Sequence, residues 1–135
     1  MGRRSVIRIL CAAAASLLLA CCVKPAAYEQ FVRADQAIGG LYSFKLDLSD
    51  TLVRYDISLY IADTLANSIP VYAVWSNADS LSFEEMVYID KAPLVQPYRT
   101  GVTMTRPGEW KLDLRPMNVP ADFRGIGVIC RRMEL

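Results

Sequence analysis

The sequence predicts an all-β fold, an antiparallel β-sandwich of about seven strands that follows an N-terminal lipoprotein signal peptide. Short segments in which apolar and polar residues alternate recur along most of the chain, as in strands with one buried face. No segment has the pattern of a ten-residue amphipathic helix, and Gly, Pro, Asn, Asp and Ser separate the alternating segments. With 135 residues, of which 53% are hydrophobic, the chain has enough apolar surface for one core without a disulfide scaffold.

The first 20 residues are typical of a secretory signal. Arg3, Arg4 and Arg8 form a basic region, and an apolar run from Ile9 to Ala20 follows it. The run has about a dozen residues, whereas a membrane-spanning helix needs about 20. We therefore interpret residues 1–20 as a cleaved signal peptide outside the fold; a buried structural helix is the alternative.

The end of this run looks like a bacterial lipobox. The sequence reads Leu18-Leu19-Ala20-Cys21, so signal peptidase II would cut between Ala20 and Cys21, and the Cys21 thiol would carry diacylglycerol. Two alternatives stay open: a register shifted to Cys22, and an ordinary signal peptide cut after Ala20 that leaves both cysteines unmodified. A fully acylated lipoprotein carries three acyl chains, which is more than stable membrane anchoring needs. We therefore expect the acylated Cys21 to be inserted in membrane lipid.

The predicted elements follow in order after the anchor. We assign residues 21–34 to a lipid anchor and tether and residues 35–135 to the sandwich, with a helical turn or two as an option within Tyr28–Ile38. Strict alternation over Tyr42–Leu48 and again over Val53–Ile61 predicts two strands, and the short gap between them predicts a hairpin with one buried face.

The second half of the chain continues the strand pattern. Pro93 and Pro97 are expected to break it between the fourth and fifth strands. The segment from Phe83 to Ile89 is ambiguous between a strand and a helical turn. The remaining predicted strands are Pro70–Trp75, Phe83–Ile89, Thr100–Thr105, Trp110–Leu114 and Gly125–Met133.

Composition excludes several classes of function. The chain has no His, which removes catalytic triads with an imidazole and His-based zinc sites. Cleavage would remove three Arg and no acid, so the mature chain would carry 12 basic and 14 acidic residues, a net charge of −2. This mixed surface gives no electrostatic reason to expect DNA, RNA or anionic lipid as a partner, and the cysteine spacing predicts no metal site.

Two cysteines, Cys22 and Cys130, remain in the oxidising compartment if Cys21 is acylated. A disulfide between them would close a long loop. Cys130 instead lies in an apolar strand pattern, Ile126–Cys130, where a small buried side chain fits. We expect a buried free thiol at Cys130, with the disulfide as the alternative.

Several of these features together resemble the GldH-type gliding-motility lipoproteins of Bacteroidetes. The resemblance rests on the export signal and lipobox and on the order of the short strand motifs, which are Tyr42-Ser43-Phe44, Tyr55-Asp56-Ile57, Ile69-Pro70-Val71-Tyr72 to Trp75, Gly108-Glu109-Trp110, Arg115-Pro116-Met117 and Arg124-Gly125-Ile126-Gly127-Val128-Ile129. It implies a non-enzymatic lipoprotein of the outer membrane that acts with envelope protein partners, in gliding bacteria within the motility apparatus. The chain departs from the family at two places: its central strand begins with Ile69-Pro70 where Tyr-Pro is expected, and the segment from Phe83 to Tyr98 is shorter and lacks the family's Gly-rich patch.

The side of the membrane is a separate expectation. Surface-exposed lipoproteins of this phylum tend to carry an acidic run directly after the lipidated cysteine. The sequence here is Cys22-Val23-Lys24-Pro25-Ala26-Ala27, which has no acid. The residues therefore favour the periplasm-facing side of the outer membrane.

Carboxylate pairs are the residues from which an enzyme hypothesis would start, since glycoside hydrolysis needs two of them. Asp47 with Asp56, and Glu84 with Glu85, are the candidates. Asp47 and Asp56 fall on the polar face of their alternations, and adjacent residues in a strand point to opposite faces of the sheet. We therefore predict no catalytic residues, no enzyme activity and no cofactor.

A binding module for carbohydrate or peptide is the alternative function. A sandwich can present aromatic side chains on one sheet, and Tyr60 and Tyr72 are predicted to lie opposite the core face of their strands. Both tryptophans, Trp75 and Trp110, are instead expected in the core. The candidate ligand face consists of Tyr60, Tyr72, Tyr88 and Tyr98.

Overall fold

The computed structural model describes residues 26–62, 67–90 and 94–134, and it confirms the all-β prediction. These residues form eight strands and no helix: β1 (Ala27–Arg33), β2 (Tyr42–Leu48), β3 (Val53–Ile61), β4 (Ile69–Asn77), β5 (Ser82–Ile89), β6 (Val95–Val102), β7 (Gly108–Pro116) and β8 (Gly125–Glu134). The predicted signal peptide, its cleavage site, Cys21 and Cys22 lie outside the described residues.

The strands form two four-stranded antiparallel sheets that pack as a sandwich. The β1 sheet has the order β1-β8-β3-β6, and the β2 sheet has the order β2-β7-β4-β5. Only β4 and β5 are consecutive neighbours within one sheet; every other connection between described strands passes from one sheet to the other. The connections therefore hold the two sheets face to face.

The predicted hairpin between β2 and β3 is wrong. β2 pairs with β7, and β3 pairs with β6 and β8 in the other sheet. Period-two alternation identifies a strand with one buried face, but two such strands satisfy it equally well as lateral neighbours or as partners across a core. Residues 49–52 connect the sheets, and the backbone N–H of Asp50 donates to the Tyr55 hydroxyl at 3.1 Å.

The core lies between the two sheets and follows the predicted alternation. β2 buries every second residue from Tyr42 to Leu48, and β3 does the same from Val53 to Ile61. Trp75 and Trp110 are 4% and 7% exposed, as expected for core residues. Burying each large side chain contributes about 1.5–3 kcal/mol, so the two facing sets account for the cohesion of the sandwich.

Two predicted boundaries differ from the structure, and the structure decides one alternative that the sequence left open. The eighth strand, β1, lies within the segment assigned to the tether, because its edge position against β8 leaves it half exposed and without strict alternation. β6 begins before the predicted strand and includes Pro97, which an edge strand tolerates because alternate N–H groups face away from the sheet. The ambiguous segment around Phe83–Ile89 is strand β5.

The direction of the strands defines two ends of the sandwich. At one end β1, β3, β5 and β7 begin and the even-numbered strands finish. The pairs Ala27↔Arg131 and Leu48↔Gly108, for example, each join the start of an odd-numbered strand to the end of an even-numbered one. We call it the Ala27 end. It carries the loops of residues 49–52, 78–81 and 103–107, and every cavity described below opens near it.

Candidate functional site

The four tyrosines of the predicted ligand face do not share one surface. Tyr60 lies on the outer face of the β1 sheet, and Tyr72 and Tyr88 lie on the outer face of the β2 sheet. Tyr98 points between the sheets, where its hydroxyl accepts a hydrogen bond from Trp75 Nε1 at 2.9 Å. The structure therefore brings together only Tyr72 and Tyr88.

Tyr60 is held in a contact that crosses three strands. Its ring lies over Gly127 of β8 and stacks on Phe31 of β1 with 5.7 Å between ring centroids. Its hydroxyl donates to Glu29 Oε1 at 2.7 Å. Burial and the bond to Glu29 raise the pKa of Tyr60 to about 12. These contacts give Tyr60 a structural role in joining β1 to β3.

Tyr72 and Tyr88 belong to an apolar surface that we call the tyrosine patch, made of Pro70, Tyr72, Met86 and Tyr88. Pro70 pairs with Tyr88 and Tyr72 pairs with Met86 across β4 and the edge strand β5. Tyr88 is 62% exposed and Met86 45% exposed. The Tyr72 hydroxyl donates to Glu84, and this bond raises the pKa of Tyr72. Exposed apolar side chains grouped in this way are typical of a surface for a partner.

Tyr98 is the centre of a polar cluster between the edge strands β5 and β6. Pro97 pairs with Ser58 and Arg99 with Ile57, so Tyr98 is the extra residue of a bulge. The Tyr98 hydroxyl donates to Glu85, and Arg99 forms an ion pair with Glu85 at 2.5 Å. Burial and the bond to Glu85 raise the pKa of Tyr98 above its ordinary range.

Glu85 is the acceptor that holds this cluster together. Burial alone would raise its pKa, but the hydrogen bonds from Tyr98 and Arg99, together with the Arg99 charge, outweigh that effect and lower it. Glu84, its neighbour, lies on the opposite face of β5 and accepts from Tyr72. The two glutamates therefore do not form a carboxylate pair, in agreement with the alternation of side chains along a strand.

A cavity of about 550 Å³ lies between the sheets at the Ala27 end. Its volume falls within the range of small-molecule sites, roughly 300–1,000 Å³. Buried apolar side chains form its depth and the 103–107 loop its rim. The interior is lined by Leu48, Ile57, Trp75, Phe83, Val102 and Trp110, and the rim carries Arg99 and Arg106.

Three aromatic rings line one wall of this cavity. Phe83 stacks on Trp75 with 6.0 Å between centroids, and it meets Trp110 at 6.4 Å. Trp110 Nε1 donates to the carbonyl oxygen of Arg106 at 3.0 Å. The sequence placed both tryptophans in the core but did not predict the cavity, because its lining comes from strands and loops that are far apart in the chain.

A second cavity of about 370 Å³ lies near Cys130, with Tyr28, Asp47 and Arg132 among its lining residues. Cys130 is a free cysteine with 5% of its surface exposed, as the strand pattern predicted. Burial, with the charges of Asp47 and Asp56, raises the pKa of Cys130 to about 11. The thiol is therefore protonated near neutral pH and is a poor nucleophile.

The carboxylates named as enzyme candidates are separated by the fold. Asp47 is on β2 and Asp56 on β3, in different sheets, and Asp56 accepts a hydrogen bond from the Gly101 backbone at 2.7 Å. Within residues 26–62, 67–90 and 94–134, no group of three or more His, Cys, Asp or Glu side chains is placed to hold a metal ion.

The chain matches no protein-family model and no curated protein sequence. The resemblance to the gliding-motility lipoproteins therefore stays a prediction from the sequence. No helix in the described part of the chain is long and apolar enough to span a membrane.

Proposed function

We propose that this chain is a lipid-anchored protein of the outer membrane, held through Cys21 and facing the periplasm, that acts as a non-enzymatic structural or assembly component of a cell-envelope complex. The sequence of the lipobox supports the anchor, and the resemblance to gliding-motility lipoproteins supports the assembly role. Protein partners in the envelope are part of this proposal.

The observation that carries the proposal is the short distance along the chain between the anchor and the fold. β1 begins at Ala27, six residues after Cys21. Six extended residues span at most about 20 Å, so an acylated Cys21 would keep the Ala27 end close to the bilayer. A domain tied so closely to a membrane is suited to contacts with neighbouring envelope proteins.

The tyrosine patch is a suitable surface for such a protein partner. It lies on the outer face of the β2 sheet, and β5, which carries Met86 and Tyr88, is an edge strand with a regular register against β4. Exposed tyrosine and methionine are enriched where proteins bind one another. The exposure of Tyr88 beside Tyr72 also favours the second candidate function, binding of a carbohydrate or peptide by the patch.

The anchor is tested by metabolic labelling with an alkyne fatty acid and by intact mass of the membrane-fraction protein. The wild type should begin at Cys21 and carry acyl mass, and Cys21→Ala should lose both the label and the membrane association. Cys22→Ala is the matched control, because it changes the adjacent cysteine and should keep the label. An unlabelled wild type would refute the anchor, and loss of label only in Cys22→Ala would move it to Cys22.

The partner surface is tested by a photo-crosslinking residue at position 88 in cells that produce the full chain. We expect a crosslinked product of one defined mass whose yield falls in Tyr72→Ala. A crosslinker at Tyr28, which is 40% exposed on the other sheet, is the control and should not give this product. Equal products from both positions would contradict a specific surface, and binding of oligosaccharide or peptide by the purified chain, lost in Tyr88→Ala, would favour the second candidate.

A further inference from the structure

We propose that the 550 Å³ cavity at the Ala27 end binds the acyl chain of an anionic single-chain lipid, a fatty acid, with its carboxylate at the arginine rim. This proposal does not require that Cys21 be acylated, and it concerns a different surface from the tyrosine patch. Its support comes from the interior of the cavity, the charge of its rim and its place in the fold.

The interior is suited to a hydrocarbon chain and poorly suited to a sugar or peptide. Leu48 and Ile57 form its depth, and Trp75, Phe83 and Trp110 form a wall. Both indole N–H groups already donate within the protein, Trp75 to the Tyr98 hydroxyl and Trp110 to the carbonyl of Arg106. A sugar hydroxyl or a peptide group in this interior would therefore lose its hydrogen bonds to water without replacing them.

The rim favours a negative charge. Arg99 and Arg106 line the cavity, and none of its lining residues in the described part of the chain is acidic. Glu85 offsets the charge of Arg99 from the side, so Arg106 supplies the excess positive charge. The side chains of Thr103 and Thr105 beside Arg106 add hydroxyl groups that can bind a carboxylate.

The place of the cavity in the fold fits this ligand. Its rim is formed by the β6–β7 loop and the start of β5, at the same end of the sandwich as the start of β1. If the anchor is present, the bilayer lies next to the rim and supplies the lipid. Without the anchor, the same cavity would take a fatty acid from solution.

Tryptophan fluorescence provides a direct test, because Trp75 and Trp110 are the two tryptophans of the chain and both line the cavity. The purified full chain is titrated with ω-bromoundecanoate, whose bromine quenches indole fluorescence on contact, below its micellar concentration. We expect saturable quenching that unbrominated undecanoate reverses by competition. Each methylene added from hexanoate to decanoate should strengthen competition about fourfold.

Matched variants separate the cavity from other apolar sites on the chain. Val102→Phe fills the cavity and should abolish saturable quenching, whereas Val74→Phe, the same change on the outer face of the β2 sheet, should preserve it. Arg106→Gln should weaken binding of the acid about tenfold and leave its methyl ester unaffected. Arg115→Gln, an exposed arginine of β7, is the control for this charge change.

Near-ultraviolet circular dichroism establishes that each variant is folded. If Val102→Phe does not fold, the chain-length series and Arg106→Gln still decide, since Arg106 is exposed. Absence of saturable quenching, equal quenching in Val102→Phe and Val74→Phe, or no dependence on chain length would each overturn the proposal. Equal binding of acid and methyl ester would overturn the role of the arginine rim.

Discussion

Replacement of Gly127 by Ala tests whether the contact between β1 and β3 depends on the absence of a side chain in β8. Gly127 pairs with Phe31 on one side and with Tyr60 on the other. An added Cβ would lie 2.0 Å from Tyr60 Cζ, far closer than two non-bonded carbon atoms can approach. The Tyr60 ring must therefore swing out, and its stacking on Phe31 and its hydrogen bond to Glu29 must be lost.

The expected cost follows from these two contacts. The ring pair contributes about 0.5–1.5 kcal/mol, and an exposed hydrogen bond about 0.5 kcal/mol. Ala in place of Gly reduces the entropy of the unfolded chain, which returns about 0.4–1 kcal/mol at a position whose φ is not positive. The free energy of unfolding should fall by about 1 kcal/mol, which lowers Tm by about 4–8 °C in a domain of this size.

The assay is urea denaturation of the wild type, Gly127→Ala, Tyr60→Ala and the double variant. Tyr60→Ala removes the three atoms nearest to the added Cβ, so Gly127→Ala should cost less in that background and be neutral or stabilising. Gly125→Ala is a contrasting variant, because its Cβ would lie 2.3 Å from the Val32 carbonyl oxygen and its φ is +147°. It should cost more, and Tyr60→Ala should not relieve it. An equal cost of Gly127→Ala in both backgrounds would refute the reasoning.

Three further predictions concern the partly buried Glu85 and the buried Cys130 and Leu112. Glu85→Gln should destabilise the protein by about 1–2 kcal/mol near neutral pH in urea denaturation, against about 0.5 kcal/mol or less for Glu84→Gln. Because the pKa of Glu85 is lowered in the folded protein, the ionised Glu85 stabilises the fold above its unfolded pKa, and this stabilisation is lost as the pH falls. Glu85→Gln should therefore lose less stability than the wild type when the pH is lowered. The same pH dependence of stability in both proteins would contradict this role of Glu85. Cys130, with a pKa of about 11, should react slowly with iodoacetamide at pH 8 and fully after unfolding, and equal rates would contradict its burial. Leu112→Ala should cost about 2–5 kcal/mol and Leu52→Ala, 76% exposed, less than about 0.5 kcal/mol by thermal unfolding; similar costs would contradict the assignment of the core.

The strands that sequence analysis located well are those with one fully buried face. β2 and β3 have the bounds that alternation predicted, because each strand alternates between core and solvent without interruption. β1 was missed for the opposite reason. It is an edge strand that buries no residue fully, so its sequence carries no periodic signal to distinguish it from a tether.

Pairing and packing across the core were less accessible than the strands themselves. The sequences of β2 and β3 are compatible with a hairpin. In the structure β2 pairs with β7 and β3 pairs with β8, and the local sequence does not indicate these distant partners. In the same way, alternation placed Tyr72 on an outer face correctly, but the predicted strand began at Thr100, so the inward face of Tyr98 was not predicted. The bulge at Tyr98 shifts the alternation of the residues that follow it, and nothing in the local sequence fixes where a bulge occurs.

The same bulge lies next to the cavity, which Arg99 and Val102 of β6 line. Tyr98 turns inward at the bulge and bonds both Trp75 and Glu85, so the edge strands β5 and β6 are joined through side chains. Phe83, at the start of β5, is 48% exposed and stacks on Trp75 at the mouth of the cavity, so the apolar interior opens to solvent. Apolar surface exposed to water in this way lowers the stability of the fold unless a ligand covers it. In the proposed complex the acyl chain of a fatty acid covers the aromatic wall, and its carboxylate binds at the arginine rim. The short segment between Cys21 and Ala27 would place that opening near a bilayer, so anchoring and lipid binding, proposed from separate residues, would operate at the same end of the sandwich.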